Sequence, residues 1–197
     1  MRKLREGITA ARRVDRFAAE VFKQHIRAAI LVQQIDNYHS ALTYLLYELH
    51  VFAPLSALDV QEFASYHMLH LAACLEEYGA ALAVRNEFQV VDRRALQAVQ
   101  AIIHGNYWSF RAARNRVDQY MGRLMDYAEE RMRQLALKCV GLSYFTVDLP
   151  YLEVVSGLPW RRLQAEYRVG WQLDEATRTV TVKRPKMKAG PAPALSR

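Results

Sequence analysis

Along most of the chain, apolar residues return every three or four positions, the spacing of helices that each bury one stripe. In "FAAEVFKQHIRAAILV" (17–32), Phe17, Val21, Ile26, Ile30 and Leu31 lie near one stripe, with Lys23, Gln24 and Arg27 off it. "LTYLLYELHVF" (42–52) continues the pattern to a stop at Pro54. Asp59 then serves as the expected N-cap of "VQEFASYHMLHLAACLEEY" (60–78), with Glu62 as its capping-box partner. Further helices are expected over 79–89, 92–104, 107–117 and 119–142, with Gly105-Asn106 breaking two of them apart. No strand signal interrupts residues 10–142.

A loose repeat runs through this helical body. "IDNYHSAL" (35–42), "EEYGAAL" (76–82) and "GNYWSFRAA" (105–113) each place a Tyr just after a turn, followed by small residues. The physical reading is a stack of helical hairpins. The Tyr wedges between the two helices of a pair, and the small residues let the next pair approach. Such tetratricopeptide-like arrays present curved surfaces to other proteins.

The period changes after the long helix "DQYMGRLMDYAEERMRQLALKCVGLSYF" (118–145). Pro150 suits the first turn of a short helix, Ser156-Gly157 ends it, and Pro159 opens a second, "PWRRLQAEYRV", which Gly170 closes. Trp171 and Leu173 then alternate, "DEAT" turns, and Val180 and Val182 alternate back, with Thr179, Thr181 and Lys183 on the other face. Helix, turn, helix and two-stranded wing is the order of a winged helix, to which the long helix would add a third helix. The expected fold class is therefore mainly α: TPR-like hairpin repeats followed by a C-terminal winged helix. Its expected parts are a basic N-terminal segment (1–16), a helical body (17–143), a winged-helix module (144–186) and a basic flexible tail (187–197).

Charge sharpens this picture. Of a net +7, residues 1–16 hold six Lys/Arg against two acids, and residues 178–197 hold six Lys/Arg and no acid. On this count the basicity lies at the two ends, and basic ends favour nucleic acid or acidic proteins as partners. In the second helix of the terminal module, Arg161, Arg162 and Arg168 stand beside Glu166, too thin a face to read bases in a DNA groove. Phosphate contact through Arg161, Arg162, Lys183, Arg184, Lys186 and Lys188 fits better. Trp160, Arg178, Val180 and Val182 are the positions expected to meet a protein partner through the wing, whose short strand leaves an edge to pair.

Catalytic chemistry is not indicated. His67 and His70 in "HMLH" sit three apart on one helix and would make two ligands of a metal site, with no third nearby in sequence. The chain carries no Gly-rich phosphate loop, GxSxG elbow, HExxH or paired-Cys motif. No catalytic residue, cofactor, metal or small-molecule substrate is expected. The two cysteines, Cys74 and Cys139, are expected as small buried hydrophobes in a reducing compartment. With no apolar run long enough to span a bilayer and no secretory signal, a nuclear or cytoplasmic protein is expected.

This layout resembles PCI domains, the scaffold modules of the proteasome lid, the signalosome, translation initiation factor three and mRNA-export complexes. "FAAEVFKQHIRAAILVQQIDNYHSAL" (17–42), "QEFASYHML" (61–69), "HGNYWSFRAA" (104–113) and "ALKCVGLSYFTVDLPYLEVV" (136–155) are similar to segments of the GANP-type mRNA-export and RNA-processing family. "GLP" (157–159) with "GWQLDEATRTV" (170–180) resembles instead the small PCI subunits of the signalosome, the lid and the initiation factor. The chain lacks the long upstream segment of the GANP pattern, and its length suits those small subunits. The resemblance implies a non-catalytic scaffold that binds a second PCI-domain protein. It also implies a small acidic Sem-type peptide as a further partner, and a shared RNA-binding surface. In the small-subunit alternative the role is purely structural.

Overall fold

The computed structural model describes residues 2–167 and 169–183 and is mainly helical. Contacts divide it into two units, one up to Arg133 and one from Gln134 onward. The division falls inside the long helix rather than at its end near residue 143.

The first unit opens with α1 (Arg2–Ala10), α2 (Arg16–Leu31) and α3 (Ile35–Thr43), which runs through a π-helical turn (Tyr44–Leu49) into α4 (His50–Phe52). Within the segment 1–16, expected only as a basic one, Arg2–Ala10 form a helix of their own that packs on α2 and buries Ile8. Asp15 caps α2, accepting from the Ala18 amide at 2.8 Å. That hydrogen bond, together with Arg13, holds the Asp15 carboxyl below its ordinary value.

The buried face of α2 is turned relative to the expected stripe. Ala18, Val21, Phe22, Ile26, Ala29 and Ile30 are in the core, whereas Phe17 and Leu31 are exposed. Arg13 lies over the Phe17 ring, 4.7 Å from its centroid. Lys23, read as solvent-facing, is buried: its ammonium meets Glu20 at 2.6 Å and Asp59 at 3.1 Å. Burial alone would lower its pKa, but the two carboxylates raise it.

Helix α5 (Ala57–Ala73) is the hub, touching α3, the π turn, α6 (Tyr78–Glu87) and α7 (Arg93–Ile103). Every residue from Phe63 to Ala73 is buried, as befits a helix apolar on all sides. Its cap corrects the expectation at Asp59. Ser56 is the N-cap, its hydroxyl accepting from the Asp59 amide at 3.1 Å and donating to the Asp59 carboxylate at 2.7 Å. Glu62 is thereby free to take Arg27 in a bidentate pair at 2.8 and 2.7 Å. Ser56→Ala is expected to cost about 1 kcal/mol, measured by urea denaturation.

Helix α8 (Tyr107–Arg114) follows α7 through Gly105, whose positive φ of 63° ends α7, and Asn106, which caps α8 by accepting from the Ser109 amide. The three repeated tyrosines sit in the first turn of α3, α6 and α8; Tyr38 and Tyr107 are buried and Tyr78 half-buried. Helix α9 (Gln119–Ser143) starts at Asp118, whose carboxylate accepts from the Met121 amide. Met121, Leu124, Met125, Ala128 and Met132 bury its first part.

The second unit takes the last turns of α9, then β1 (Thr146–Asp148), α10 (Leu149–Ser156), α11 (Trp160–Tyr167), β2 (Gln172–Asp174) and β3 (Thr179–Thr181). All strands are antiparallel, in the order β1-β3-β2. Register aligns Val147, Val180 and Leu173 in one row across the sheet. That row faces Leu137, Val140, Leu152, Leu158, Trp160 and Leu163. The hairpin was legible in the sequence; β1 was not. A bare two-stranded hairpin is marginal in water, and the third strand supplies the missing partner. No described helix is long and apolar enough to cross a membrane.

Candidate partner and nucleic-acid interface

The loop between α10 and α11 is built to hold α11 in place. Gly157 takes the left-handed conformation that ends α10, with φ 71°. Ser156 donates its hydroxyl to the Leu152 carbonyl at 2.7 Å, and Glu153 accepts from the Trp160 amide at 2.8 Å. Trp160 and Leu163 anchor the inner face, which leaves Arg161 and Arg162 on the outer one.

These cations are not equally available. Arg162 makes a bidentate pair with Glu166 at 2.7 and 2.9 Å. Lys183 donates to the Leu142 carbonyl at 3.0 Å, at the C-terminal end of α9, where a cation also meets the negative end of the helix dipole. Arg161 has no ion-pair partner among the described residues. Arg178, at φ 53°, stands exposed in the β2–β3 turn. That turn is tied by Asp174, which accepts from Thr177 at 2.9 Å and from the Ala176 amide at 3.0 Å, holding its carboxyl below the ordinary value. Arg168, Arg184, Lys186 and Lys188 lie outside the described residues, as does the expected tail.

The expected partner positions are divided by burial. Val180 is 0% exposed and Trp160 only 8%, so both side chains fill the core rather than meet a partner. Val182 is half-buried and Arg178 exposed. Because β3 is the central strand, the open edges belong to β1 and β2, which have no outer neighbour among the described residues. Beside the β1 edge lies a shallow cavity of about 360 Å³ lined by Tyr144, Thr146, Val147, Asp148 and Tyr151. The two Tyr rings stand 6.3 Å apart, and Phe145 next to them is exposed.

The histidines form a cluster that sequence spacing only half revealed. His39 of α3 stacks near His70 and His67 of α5, with ring centroids 4.4 and 5.9 Å away. Tyr38 Oη and His70 Nδ1 share a hydrogen bond of 2.8 Å. His39 Nδ1, His67 Nδ1 and His70 Nε2 are buried without a hydrogen-bond partner. Burial, followed by repulsion from His39, lowers His67 to about 4 and His70 to about 3. The His67 and His70 rings are therefore neutral near pH 7. No group of three His, Cys, Asp or Glu among the described residues is arranged to hold a metal ion. Cys74 stands near this cluster, 3.6 Å from Tyr38 Oη, and burial pushes its thiol up to about 11. Cys139, expected to be buried, is exposed on α9.

One surface escaped the sequence reading. Residues 91–118, the α7–α8 hairpin, carry five arginines and two aspartates, a charge hidden when the whole interior is summed as acidic. Between the helices runs a groove of about 320 Å³ lined by Gln97, Gln100, His104, Asn106, Ser109, Ala112 and Arg116 over a buried floor of Ala101 and Ala113. The signal was present in a short-window charge count, and in Trp108, which sits at a helical position yet is exposed. No protein-family model matches the chain, and no curated protein matches its sequence.

Proposed function

We propose that the chain is a non-catalytic scaffold subunit of PCI type that docks a second PCI-domain protein and contributes to an RNA-binding surface. The supporting observation is the element order of the second unit. The end of α9, β1, α10, α11, β2 and β3 follow one another, with β3 paired between β1 and β2 around one apolar core. This order suits a winged helix placed after a helical body. The open β1 edge, with Tyr144 and Tyr151 beside it, suits an added strand from the partner subunit. A small acidic Sem-type peptide completes the assembly in this reading. RNA is held by pooled phosphate contacts, with Arg161 and Arg178 among the exposed described cations and Arg184, Lys186 and Lys188 expected to join them.

A second reading is a structural subunit of the lid, signalosome or initiation factor three, without RNA. It is favoured by the internal engagement of Arg162 with Glu166 and of Lys183 with α9. Electrophoretic shifts with single-stranded RNA, alone and with the co-purifying partner, separate the two. Under the first reading, Arg161→Glu with Arg178→Glu weakens binding and flattens the salt slope by about 0.7 per lost phosphate contact. If no RNA binds at physiological salt in either state, the second reading replaces the first. Affinity purification with mass spectrometry then names the company the subunit keeps.

A further inference from the structure

We propose that the α7–α8 groove is a second nucleic-acid site, one that seats a nucleotide of a single strand. It shares only the ligand class with the proposed function and uses no residue of the second unit.

The groove is built from matched stripes. Gln97, Gln100 and His104 stand at i, i+3 and i+7 along α7 and its C-terminal end. Ser109, Ala112 and Arg116 repeat that spacing along α8 and just beyond it. Arg93 lies one turn before Gln97 on the same side of α7. The alanine floor lets neutral donors and acceptors stand along both walls, and no carboxylate lines the groove.

Two of the cations here are spent on internal pairs and two are not. Arg94 is paired with Asp92 at 3.1 Å and Arg114 with Asp126 at 2.8 Å. Arg93 and Arg116 are exposed and have no ion-pair partner among the described residues. One turn before Ala112, Trp108 is 61% exposed. It is not on a loose end, because its neighbours Tyr107 and Phe110 are buried, their rings stacked at 6.2 Å. Its indole therefore presents a flat aromatic face to solvent from a fixed position beside the groove.

The balance of chemistry selects the ligand. An acidic peptide strand asks for a row of cations, and the groove offers one Arg in its wall and another at its end. A nucleotide carries one phosphate, one base edge rich in donors and acceptors, and one flat face. Arg116, the Gln97, Gln100 and Asn106 amides, and Trp108 supply a counterpart to each. The volume of about 320 Å³ lies at the small end of ligand pockets, the scale of a single nucleotide rather than a folded helix. Amide and imidazole groups on the walls are the types that bond base edges, while the arginines position the backbone.

The test is fluorescence anisotropy of the full chain with a labelled ten-nucleotide single-stranded RNA, read across a salt series. Trp108→Ala is expected to weaken binding about ten-fold or more, the scale of one lost base stack. Arg116→Glu is expected to weaken it and flatten the salt slope by about 0.7, and Arg116→Lys to retain most of the affinity. Both side chains are exposed, so melting curves of the variants should match the parent. If Arg161→Glu with Arg178→Glu abolishes binding while Trp108→Ala and Arg116→Glu leave it intact, the groove proposal falls and the second-unit grip stands. The opposite pattern supports the groove and removes that grip. Polyglutamate competing as well as RNA, with Trp108→Ala indifferent to both, overturns the nucleotide assignment, as does a wild-type chain that binds no RNA.

Discussion

Moving the protein from pH 7 to pH 5 is expected to lower its folding stability by about 4 kcal/mol through His67 and His70 alone. Both rings are buried, and burial holds them near pKa values of about 4 and about 3, against 6.5 for an exposed imidazole. The groups facing them are His39, Tyr38 and Tyr47, which offer no carboxylate to a ring that takes up a proton. Above pH 6.5 the rings are neutral in both states, and their contribution to stability is complete. As pH falls below 6.5 the unfolded chain binds protons first, so stability drains at about 1.4 kcal/mol per pH unit per ring. The loss levels off only near pH 4 for His67 and pH 3 for His70. His25, lowered by burial and then by Arg5, pulls in the same direction.

Urea denaturation at pH 7 and pH 5 measures the loss. His67→Leu is the decisive variant, because His67 Nδ1 is buried without a hydrogen-bond partner and the substitution removes that orphan. The variant should be at least as stable as the parent at pH 7 and should lose about half as much at pH 5. A flat stability between the two pH values, or an unchanged loss in His67→Leu, would show that the cluster is not held neutral by burial.

Val180→Asp should unfold the second unit. Val180 is fully buried at the centre of the sheet, between Val147 and Leu173 and against the Trp160 and Leu163 core. A carboxylate there has no cation to pair with among these neighbours, and the expected cost is roughly 3–5 kcal/mol. That is a large share of the total stability of about 5–15 kcal/mol typical of a domain. Hydrogen exchange read by mass spectrometry should show lost amide protection across residues 134–183, with α5 of the first unit still protected. Val182→Asp, at a half-buried position at the margin of the same core, should lose less protection than Val180→Asp. Unchanged protection in Val180→Asp would mean that the row across β1, β3 and β2 does not hold the unit together.

Helices were legible in the sequence because their signal is local: spacing, caps and breakers within a few residues. Gly105-Asn106, Pro150 and Gly157 fell where turn chemistry placed them. Rotation of a helix about its axis is a weaker signal, and α2 shows it. Phe17, Val21 and Ile26 fit one stripe on paper, but Phe22 and Ala18 face the core and Phe17 does not. Ser56 and Asp59 are both good N-cap residues. Ser56 takes the cap, and the Asp59 carboxylate accepts from the Ser56 hydroxyl and from Lys23, a residue distant in the chain.

The candidate sites divide along the same line. Arg161, Arg162, Arg178 and Lys183 were visible as charges, yet which of them remain available depends on Glu166 and on the carbonyl of Leu142. The three-histidine cluster joins residues from two helices, so spacing revealed His67 and His70 and not His39. Val180 was visible as an inward strand position, but its place at the centre of the sheet came from β1, a strand of three residues that leaves no alternation to detect.

The sequence by itself determined most of the helices and the breaks between them, the closing hairpin, and that arginine and lysine crowd the terminal segments. Those properties follow from interactions within a few residues. Tertiary structure alone decided which faces are buried, which cations are spent on internal partners, and that Gln97, Gln100 and Arg116 line one groove beside an exposed Trp108. Such choices rest on contacts between residues far apart in the chain, and no local spacing encodes them.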